Sequence, residues 1–347
     1  AGVLQVGPQS AGSEPGPICY GRGGEAPTLP AANLVLGRLD PQRLLAVKTP
    51  VTVEHVREIF ARELARPLGL TVDAAAAAVI QLANAHMSGA IRLVSLSRGY
   101  DPRDFALFAF GGAGPLHAVA LARELGLPEV LVPARPGLTN ALGCLVADLR
   151  QDFVNTLNVP LDAADMGEVA RTLADQKQRG LDTNAAEQNE IVETIVLHGA
   201  DMQFRGQTHL IRVSLPHGNV AREDLQAIFE AAYFNRFQVR LPEIKAVLVN
   251  LVTSVVGKRR TFPISALLDE TERGATVAEA IIGERRLYAN GVWFTAQILD
   301  RAKLPLGATF EGPAVVQQID ATTVVEPGAF ARIDRVGNLR ISVGSAS

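Results

Sequence analysis

The sequence is poor in cysteine and has no excess of basic residues, and both shortages narrow the classes of protein it can belong to. Its two cysteines, Cys19 and Cys144, cannot form a disulfide framework and suit a reducing cytoplasm. The 33 Lys and Arg residues are outnumbered by 36 acidic ones, so the sequence predicts no nucleic-acid-binding surface. No apolar run approaches the roughly 20 residues of a membrane span, and no signal-peptide pattern is visible. We therefore expect a cytoplasmic protein that binds neither nucleic acid nor membrane.

The first position also lacks a nucleophile. Ala1 has neither a hydroxyl nor a thiol, so the sequence as given excludes the chemistry of N-terminal-nucleophile hydrolases. The opening stretch is rich in Gly and Pro, and no strand or helix pattern precedes it. We expect from this opening that the sequence is the C-terminal part of a longer protein, or one chain of a split one.

The most informative stretch, residues 105–133, predicts a strand, a glycine turn, a helix and a second strand. Residues 105–110 (FALFAF) form a short apolar run typical of a buried strand. Three glycines within residues 111–114 give a turn free of side chains, Pro115 suits the first helical position, and Gly126 can end the helix. Bare N–H groups and a helix N-terminus then face one spot, which suits a phosphate or a nucleotide. The spacing is neither GxGxxG nor GxxxxGK[ST], so a plain tight connection is the alternative.

Three polar side chains beside glycine-rich segments are candidates for chemistry. Cys19 lies in a loop at residues 8–30, where a cysteine acts as a metal ligand or nucleophile, or is a small buried hydrophobe. Arg22 can pair with a phosphate or carboxylate, or is a surface arginine. His117 lies in the first turn of the predicted helix, whose positive end lowers its pKa. It either donates a hydrogen bond to a substrate, ligates a metal together with Cys19, or lies on the helix surface.

Longer stretches carry a resemblance to a known family. The matching segments are residues 6–24 (VGPQSAGSEPGPICYGRGG), 105–126 (FALFAFGGAGPLHAVALARELG) and 141–150 (ALGCLVADLR), with shorter ones at 200–202, 205–207 and 311–316. They resemble the hydantoinase A/5-oxoprolinase family, and the resemblance covers only the C-terminal portion of a hydantoinase A-type subunit. It implies an adenosine-side ATP contact by Gly111, Gly112, Ala113, Gly114 and Pro115. It also favours His117 and Arg22 as catalytic candidates, with Cys19 and His117 as candidate metal ligands.

The predicted fold class is α/β, in three parts. The resemblance implies that residues 1–158 are part of an actin-like (ribonuclease H-like) ATPase lobe. Residues 159–189 read as a connecting helix, and residues 190–347 as a β-rich α+β C-terminal domain, because apolar and polar residues alternate there. A helix is predicted at 71–98, with His86 among the residues of its apolar stripe: Val79, Leu82, Ala83, Met87, Ala90, Ile91 and Val94. On that stripe a core histidine is favoured over one that faces a ligand.

The resemblance implies ATP-dependent opening of a cyclic amide: 5-oxoproline, a hydantoin or a lactam. In this family ATP and Mg²⁺ phosphorylate the amide oxygen, which makes the carbonyl a better target for water. The phosphate-binding motifs lie upstream of the matched portion, so we expect no turnover without an N-terminal half, and a hydantoinase B-like subunit is an expected partner. The cyclic amide is the expected small-molecule substrate, and a second divalent metal is compatible with the family.

Departures from the family pattern keep other hypotheses open. Ala31 stands where relatives carry an aspartate, and Val247 and Val252 where they tend to carry Glu and Arg. A non-catalytic assembly subunit with a degenerate site is therefore one alternative. A subunit of an ATP-dependent ketone carboxylase of the same family is another, because the quoted motifs are shared.

Overall fold

The computed structural model describes residues 3–44, 47, 49–187, 191–241, 243–260, 263 and 272–344. Ala1 and residues 188–190, to which sequence predictions apply, lie outside these ranges. The helices are α1 Leu29–Val35, α2 Val53–Phe60, α3 Arg66–Leu68, α4 Val72–Leu96, α5 Gly114–Leu125, α6 Thr139–Val146, α7 Met166–Ala186, α8 Arg222–Phe237 and α9 Val277–Ala280. The strands are β1 Ala106–Phe108, β2 Glu129–Val132, β3 Leu149–Pro160, β4 Ile191–Phe204, β5 Ile211–Leu215, β6 Ala246–Arg259, β7 Ile281–Ala289, β8 Val292–Asp300, β9 Thr309–Glu311, β10 Ala314–Gln317, β11 Thr322–Val325, β12 Phe330–Ile333 and β13 Leu339–Ser342.

The chain forms two compact units, Ala1–Leu142 with Pro263–Ser347, and Gly143–Phe262. The first unit contains two sheets, with strand orders β1-β2-β13-β12-β9 and β11-β10-β8-β7. β1 and β2 are parallel and are joined by α5, while β13 runs antiparallel to β2. The core under the first sheet contains side chains of α5, of the early strand β2 and of the late strands β12 and β13: Val119, Ala122, Val130, Ile333, Leu339 and Ile341. The expectation that residues 105–110 form a buried strand is wrong for Phe105, Phe108 and Phe110, which are exposed, although the strand itself is present.

The second unit is an antiparallel sheet of order β3-β6-β4-β5 with two helices. Its core joins Leu173 of α7 and Phe229 of α8 to Phe204 of β4. α8 spans Arg222–Phe237 and buries Leu225, Phe229 and Tyr233. The helix α7 was expected only to connect two domains, but it buries Val169 and Leu173 against this sheet and is part of the unit's core.

These units differ from the predicted linear domains 1–158 and 190–347. The reason is that β13 pairs with β2, which places strands more than 200 residues apart in one sheet. Alternating polarity predicts that a segment is a strand, but it contains no information about which distant strand will pair with it. The last strands of the chain therefore belong to the unit that contains the glycine turn.

The buried face of α4 differs from the apolar face predicted for it. The helix begins within one residue of the predicted start, and Thr71 caps it, since its Oγ1 accepts from Ala74 N–H at 3.2 Å. The buried face, however, includes Asn84 and Ser88, while His86 is exposed, so the favoured interpretation of His86 as a core residue is wrong. Among the described residues α4 alone is long and apolar enough for a membrane span, a test that core helices of folded proteins also pass. Only 39% of its most apolar window is buried.

Candidate functional site

The glycine turn connects β1 to α5 as the sequence predicts. Ala109 N–H continues the parallel pairing by donating to Leu131 O at 2.9 Å. Gly111 then adopts a φ of 77°, which favours glycine, and its N–H donates to Pro136 O at 2.8 Å. α5 starts at Gly114, Pro115 occupies its first turn, and Gly126 ends it at a φ of 71°. We call residues 111–114 the glycine loop.

The N-terminus of α5 is open. Ala113, at the N-cap position, makes no side-chain capping bond, and Gly112, Ala113 and Gly114 are exposed. Within the first turn Pro115 has no N–H and Leu116 N–H donates to Ala113 O at 3.1 Å, so the donors left for a ligand are the N–H groups of the exposed residues 112–114, at a helix end with a partial positive charge. Here these groups lie at the carboxyl end of a parallel strand, where α/β sheets bind their ligands.

The neighbouring turn between β10 and β11 brings a carboxylate beside the glycine loop. Asp320 Oδ2 accepts from Gly137 N–H at 2.9 Å. A Cβ on Gly112 would lie 3.3 Å from Asp320 O, and one on Gly137 would lie 2.5 Å from Asp320 Oδ2. The absence of a side chain at Gly137 therefore allows Asp320 to approach, whereas a Cβ at Gly112 would make only a tight contact with the turn. Asp320 could not be predicted as a neighbour of the glycine loop, because the 318–321 turn carries no sequence signal linking it to a loop about 200 residues away.

The predicted catalytic residue His117 is buried rather than open to solvent. Its side chain lies in the first turn of α5, 3% exposed, and its Nδ1 is 2.9 Å from Asn84 Oδ1. With Asn84 Oδ1 as the acceptor, the ring proton lies on Nδ1. Burial, and secondarily the charge of Arg38, lowers the pKa of His117 to about 4. The predicted direction of the pKa shift agrees, but its causes are burial and Arg38 rather than the helix end, so His117 is neutral near pH 7.

A buried ion-pair network holds α5 in place. Glu326, at the end of β11, accepts from Arg38 Nη2 at 3.3 Å and from Arg123 Nη1 at 3.2 Å. Arg123 lies in the last turn of α5 and also donates to Pro327 O and Val343 O, at 2.8 and 3.0 Å. Arg38 Nη1 lies 3.5 Å from Leu116 O in the first turn. Both ends of α5 are thus connected to one carboxylate.

The other predicted site residues lie in different environments. Cys19 is fully buried, and burial raises the pKa of its thiol to about 11, which disfavours the thiolate that binds metals. Arg22 is exposed and donates to Ser13 O at 3.1 Å. Among the residues that the structure describes, no three His, Cys, Asp or Glu side chains form a group able to hold a metal. The predicted pairing of Cys19 with His117 on a metal gains no support from this arrangement.

The departures from the family pattern are packed into the protein interior. Ala31 is fully buried in α1, while Val247 and Val252 are 9% and 4% exposed in β6. Apolar side chains fit these environments, whereas a lone charge would need a buried partner. These three positions therefore belong to the packing of the units and are separate from the exposed glycine loop.

One half of a nucleotide site is compatible with these residues. The uncapped start of α5 and the glycine loop, whose only side chain is the methyl group of Ala113, offer backbone donors to a nucleotide. The Asp320 carboxylate beside them disfavours a second negative charge at this spot, so the loop suits the nucleoside side better than the phosphate chain. A Mg²⁺ cage needs several oxygen ligands, and the described residues bring together no such group.

Comparison with known proteins agrees with the resemblance noted in the sequence. Residues 1–153 match the family model "Hydantoinase/oxoprolinase", and residues 160–341 match "Hydantoinase/oxoprolinase C-terminal domain". The chain belongs to the hydantoinase/oxoprolinase family. This confirms the predicted family and, with the solved structures, the α/β fold class with its actin-like ATPase lobe.

Among its relatives is caprolactamase subunit alpha of Pseudomonas jessenii, 32% identical over 99% of this chain and 50% of the relative. Acetone carboxylase beta subunit of Xanthobacter autotrophicus is 30% identical, over 94% of this chain and 47% of the relative. The crystal structure of the ATP-dependent caprolactamase from Pseudomonas jessenii superimposes with a TM-score of 0.78 at 31% identity, covering 99% of this chain and 50% of the other. The chain therefore spans about half the length of these relatives.

Proposed function

We propose that this chain is the C-terminal part of an ATP-dependent hydrolase subunit that opens a cyclic amide such as 5-oxoproline, a hydantoin or a lactam. The observation that carries the proposal is the open N-terminus of α5 beside an exposed glycine loop, in a chain that belongs to the hydantoinase/oxoprolinase family. The relative named caprolactamase supports the substrate class, since caprolactam is a cyclic amide.

In this proposal the chain's own residues hold the nucleoside side of ATP. Gly111, Gly112, Ala113, Gly114 and Pro115 form the backbone surface against which the nucleotide lies. When bound, ATP would supply the phosphoryl group that activates the amide oxygen. Mg²⁺ and the phosphate chain require groups outside this chain, because phosphoryl transfer needs phosphate-binding loops and a carboxylate-held metal in addition to this contact.

The roles of the other candidate residues are revised by their environments. We propose that His117 positions the glycine loop, because its neutral ring is buried and bound to Asn84. Arg22 is exposed and remains our candidate for binding a carboxylate or phosphate of the substrate. Cys19 is assigned to packing, since burial keeps its thiol protonated.

A carboxylase subunit is the second candidate function. The acetone carboxylase beta subunit and the caprolactamase subunit align with nearly the same portion of this chain, 94% and 99% of it. Their sequence identities to it are also similar, 30% and 32%. Both relatives are named as subunits, so we propose that a further subunit of the hydantoinase B type completes the enzyme in either case.

Calorimetric titration with ATP tests the proposal, using this chain alone and then together with an upstream half. We expect binding that is lost in Gly114→Val, whose side chain would fill the loop, and retained in Gly89→Val, at an exposed α4 position with no atom within 4 Å of an added Cβ. ATP turnover is then measured with two sets of substrates. Turnover with 5-oxoproline, hydantoin or caprolactam would indicate a hydrolase, and turnover with acetone and bicarbonate would indicate a carboxylase. A folded protein that binds no ATP in either preparation would refute the nucleotide site.

A further inference from the structure

The second unit contains a groove between α8 and the segment that follows it. Its volume is about 470 Å³. Small-molecule sites typically have volumes of roughly 300–1,000 Å³. We call it the α8 groove and define it by the following lining residues: Ala227, Glu230, Ala231, Phe234, Val239 and Arg240. Phe204 and Tyr233 also line it and are only 1% and 7% exposed, so the groove reaches down to the aromatic core of the unit.

The local sequence explains why the groove is open. Positions 227, 230, 231 and 234 are three and four residues apart and therefore lie on one side of α8. Ala227 and Ala231 contribute only methyl groups to that side. α8 then ends at Gln238, which has a left-handed φ of 57° and donates its N–H to Phe234 O at 2.7 Å. This cap turns the chain back, so that residues 239–241 run beside the helix and form the second wall.

The aromatic side chains behind the groove are held in place. The ring of Tyr233 lies 4.7 Å from that of Phe204 and 4.8 Å from that of Phe237. The Tyr233 hydroxyl donates to Gln207 Oε1 at 2.9 Å. A packed aromatic floor of this kind offers an apolar chain a preformed surface, which lowers the ordering cost of binding.

Two opposite charges line the groove without an ion-pair partner among the described residues. Glu230 is exposed and accepts from the neutral amide of Gln226 at 2.5 Å, which leaves its charge uncompensated. Arg240 is exposed, and its Cζ lies 4.9 Å from the centre of the Phe234 ring. Phe234 is one helical turn from Glu230, and side chains at that spacing are about 6 Å apart. A carboxylate and a guanidinium thus lie beside the same ring without pairing with each other.

We propose that the α8 groove binds an amino acid whose amine and carboxylate are separated by an apolar chain. Its ammonium group pairs with Glu230, its carboxylate pairs with the planar guanidinium of Arg240, and its methylene groups lie over the alanines and aromatic rings. A ligand with one charge would satisfy only one wall of the groove, and an uncharged apolar ligand would satisfy neither. Charge complementarity therefore favours a small zwitterion.

This ligand class matches what the proposed function would release, and the inference rests on that function for this point alone. Addition of water across the C–N bond of a cyclic amide leaves a carboxylate and an amine at the two ends of one chain. For an unbranched lactam with five methylene groups that product is 6-aminohexanoate. The α8 groove belongs to the second unit, whereas the glycine loop belongs to the first, so different residues hold the amino acid and the nucleotide.

Equilibrium dialysis of this chain with radiolabelled 6-aminohexanoate tests the proposal. Arg240→Gln is compared with Arg236→Gln, an exposed arginine of the same helix that does not line the groove. Ala231→Leu, which fills the groove, is compared with Ala185→Leu at an exposed position of α7. We expect affinity to fall at least about tenfold in the two groove variants, because each loses a charged hydrogen bond or the space for the ligand, and to stay unchanged in the two controls.

Competition with hexanoate and hexylamine, each of which retains one of the two charges, gives the second readout. We expect both to compete at least about tenfold less well than 6-aminohexanoate. Equal competition by either compound, unchanged affinity of Ala231→Leu, or no saturable binding by the folded chain would overturn the inference. Circular dichroism checks the folding of each variant.

The dialysis contains no ATP, so its result is independent of the nucleotide site. Binding of 6-aminohexanoate by a chain that fails to bind ATP would support the α8 groove while the proposed function fails. ATP binding without amino-acid binding would do the reverse.

Discussion

Replacing Glu326 by alanine is expected to destabilise the first unit strongly. The carboxylate lies between Arg38 and Arg123 at 3.3 and 3.2 Å, with side chains that are 8%, 8% and 16% exposed. Removing one partner of a buried ion pair leaves uncompensated charge in the interior, which costs about 3–5 kcal/mol. Here two guanidinium groups lose the partner that they share, so we expect the upper part of that range.

Glu129→Ala is the matched control. Glu129 pairs with Arg340 at 2.6 and 2.7 Å in the same unit, but the arginine side chain is 52% exposed. An exposed pair contributes about 0–1 kcal/mol. The two variants thus remove the same side chain from an arginine pair and differ chiefly in burial.

Urea unfolding followed by the fluorescence of Trp293, the single tryptophan, measures the stability of the first unit. With a slope of about 2–3 kcal/mol per molar urea, the loss at Glu326 lowers the midpoint by about 1.5 M. A loss below about 1 kcal/mol, or one equal to that of Glu129→Ala, would refute the reasoning that this network is buried and energetically coupled.

Three further predictions concern a buried histidine, a buried cysteine and a glycine whose Cα lies close to a neighbouring strand. The pKa of His117 is lowered to about 4 in the folded state, so on acidification the unfolded state takes up a proton first. The contribution of His117 to stability is therefore complete above about pH 6.5 and is lost as the pH falls toward 4. His117→Gln should reduce the difference in unfolding free energy between pH 7 and pH 5 by about 2 kcal/mol. A thiol reagent should modify exposed Cys144 in the native protein while buried Cys19 reacts only after unfolding, and simultaneous modification would contradict the burial. Gly37→Ala should destabilise far more than Gly69→Ala in urea unfolding: both have left-handed φ, costing about 1 kcal/mol, but only at Gly37 would the new Cβ lie 1.9 Å from a backbone oxygen of β7.

Local signals in the sequence predicted the elements of the site well. The turn at Gly111, the start of α5 next to Pro115 and its end at Gly126 follow from backbone preferences that each residue carries by itself. Thr52 and Thr71 likewise cap their helices through their own side chains. Such features need no information from distant parts of the chain.

Long-range contacts were not predictable in the same way. The buried face of α4 was predicted from its apolar residues alone, so Asn84 was missed. Its amide can be buried because it bonds to His117, 33 positions away. Asp320 reaches Gly137 only after β10 and β11 have been placed beside that loop. The pairing of β13 with β2 depends on the whole unit, and local alternation therefore could not assign the last strands to the correct sheet.

The body of α5 and its N-terminus lie in different environments, as expected of a helix whose N-terminus binds a ligand. Its body is fixed by buried polar contacts, from His117 to Asn84 and from Arg123 to Glu326, whereas Ala113 at its start has no cap. A ligand that binds backbone N–H groups gains most when those groups are already held in position, because less ordering is then needed on binding. In the proposed site these contacts would act on ATP by keeping the glycine loop rigid. Asn84→Ala should therefore weaken ATP binding in calorimetric titration even though Asn84 is buried beneath α5.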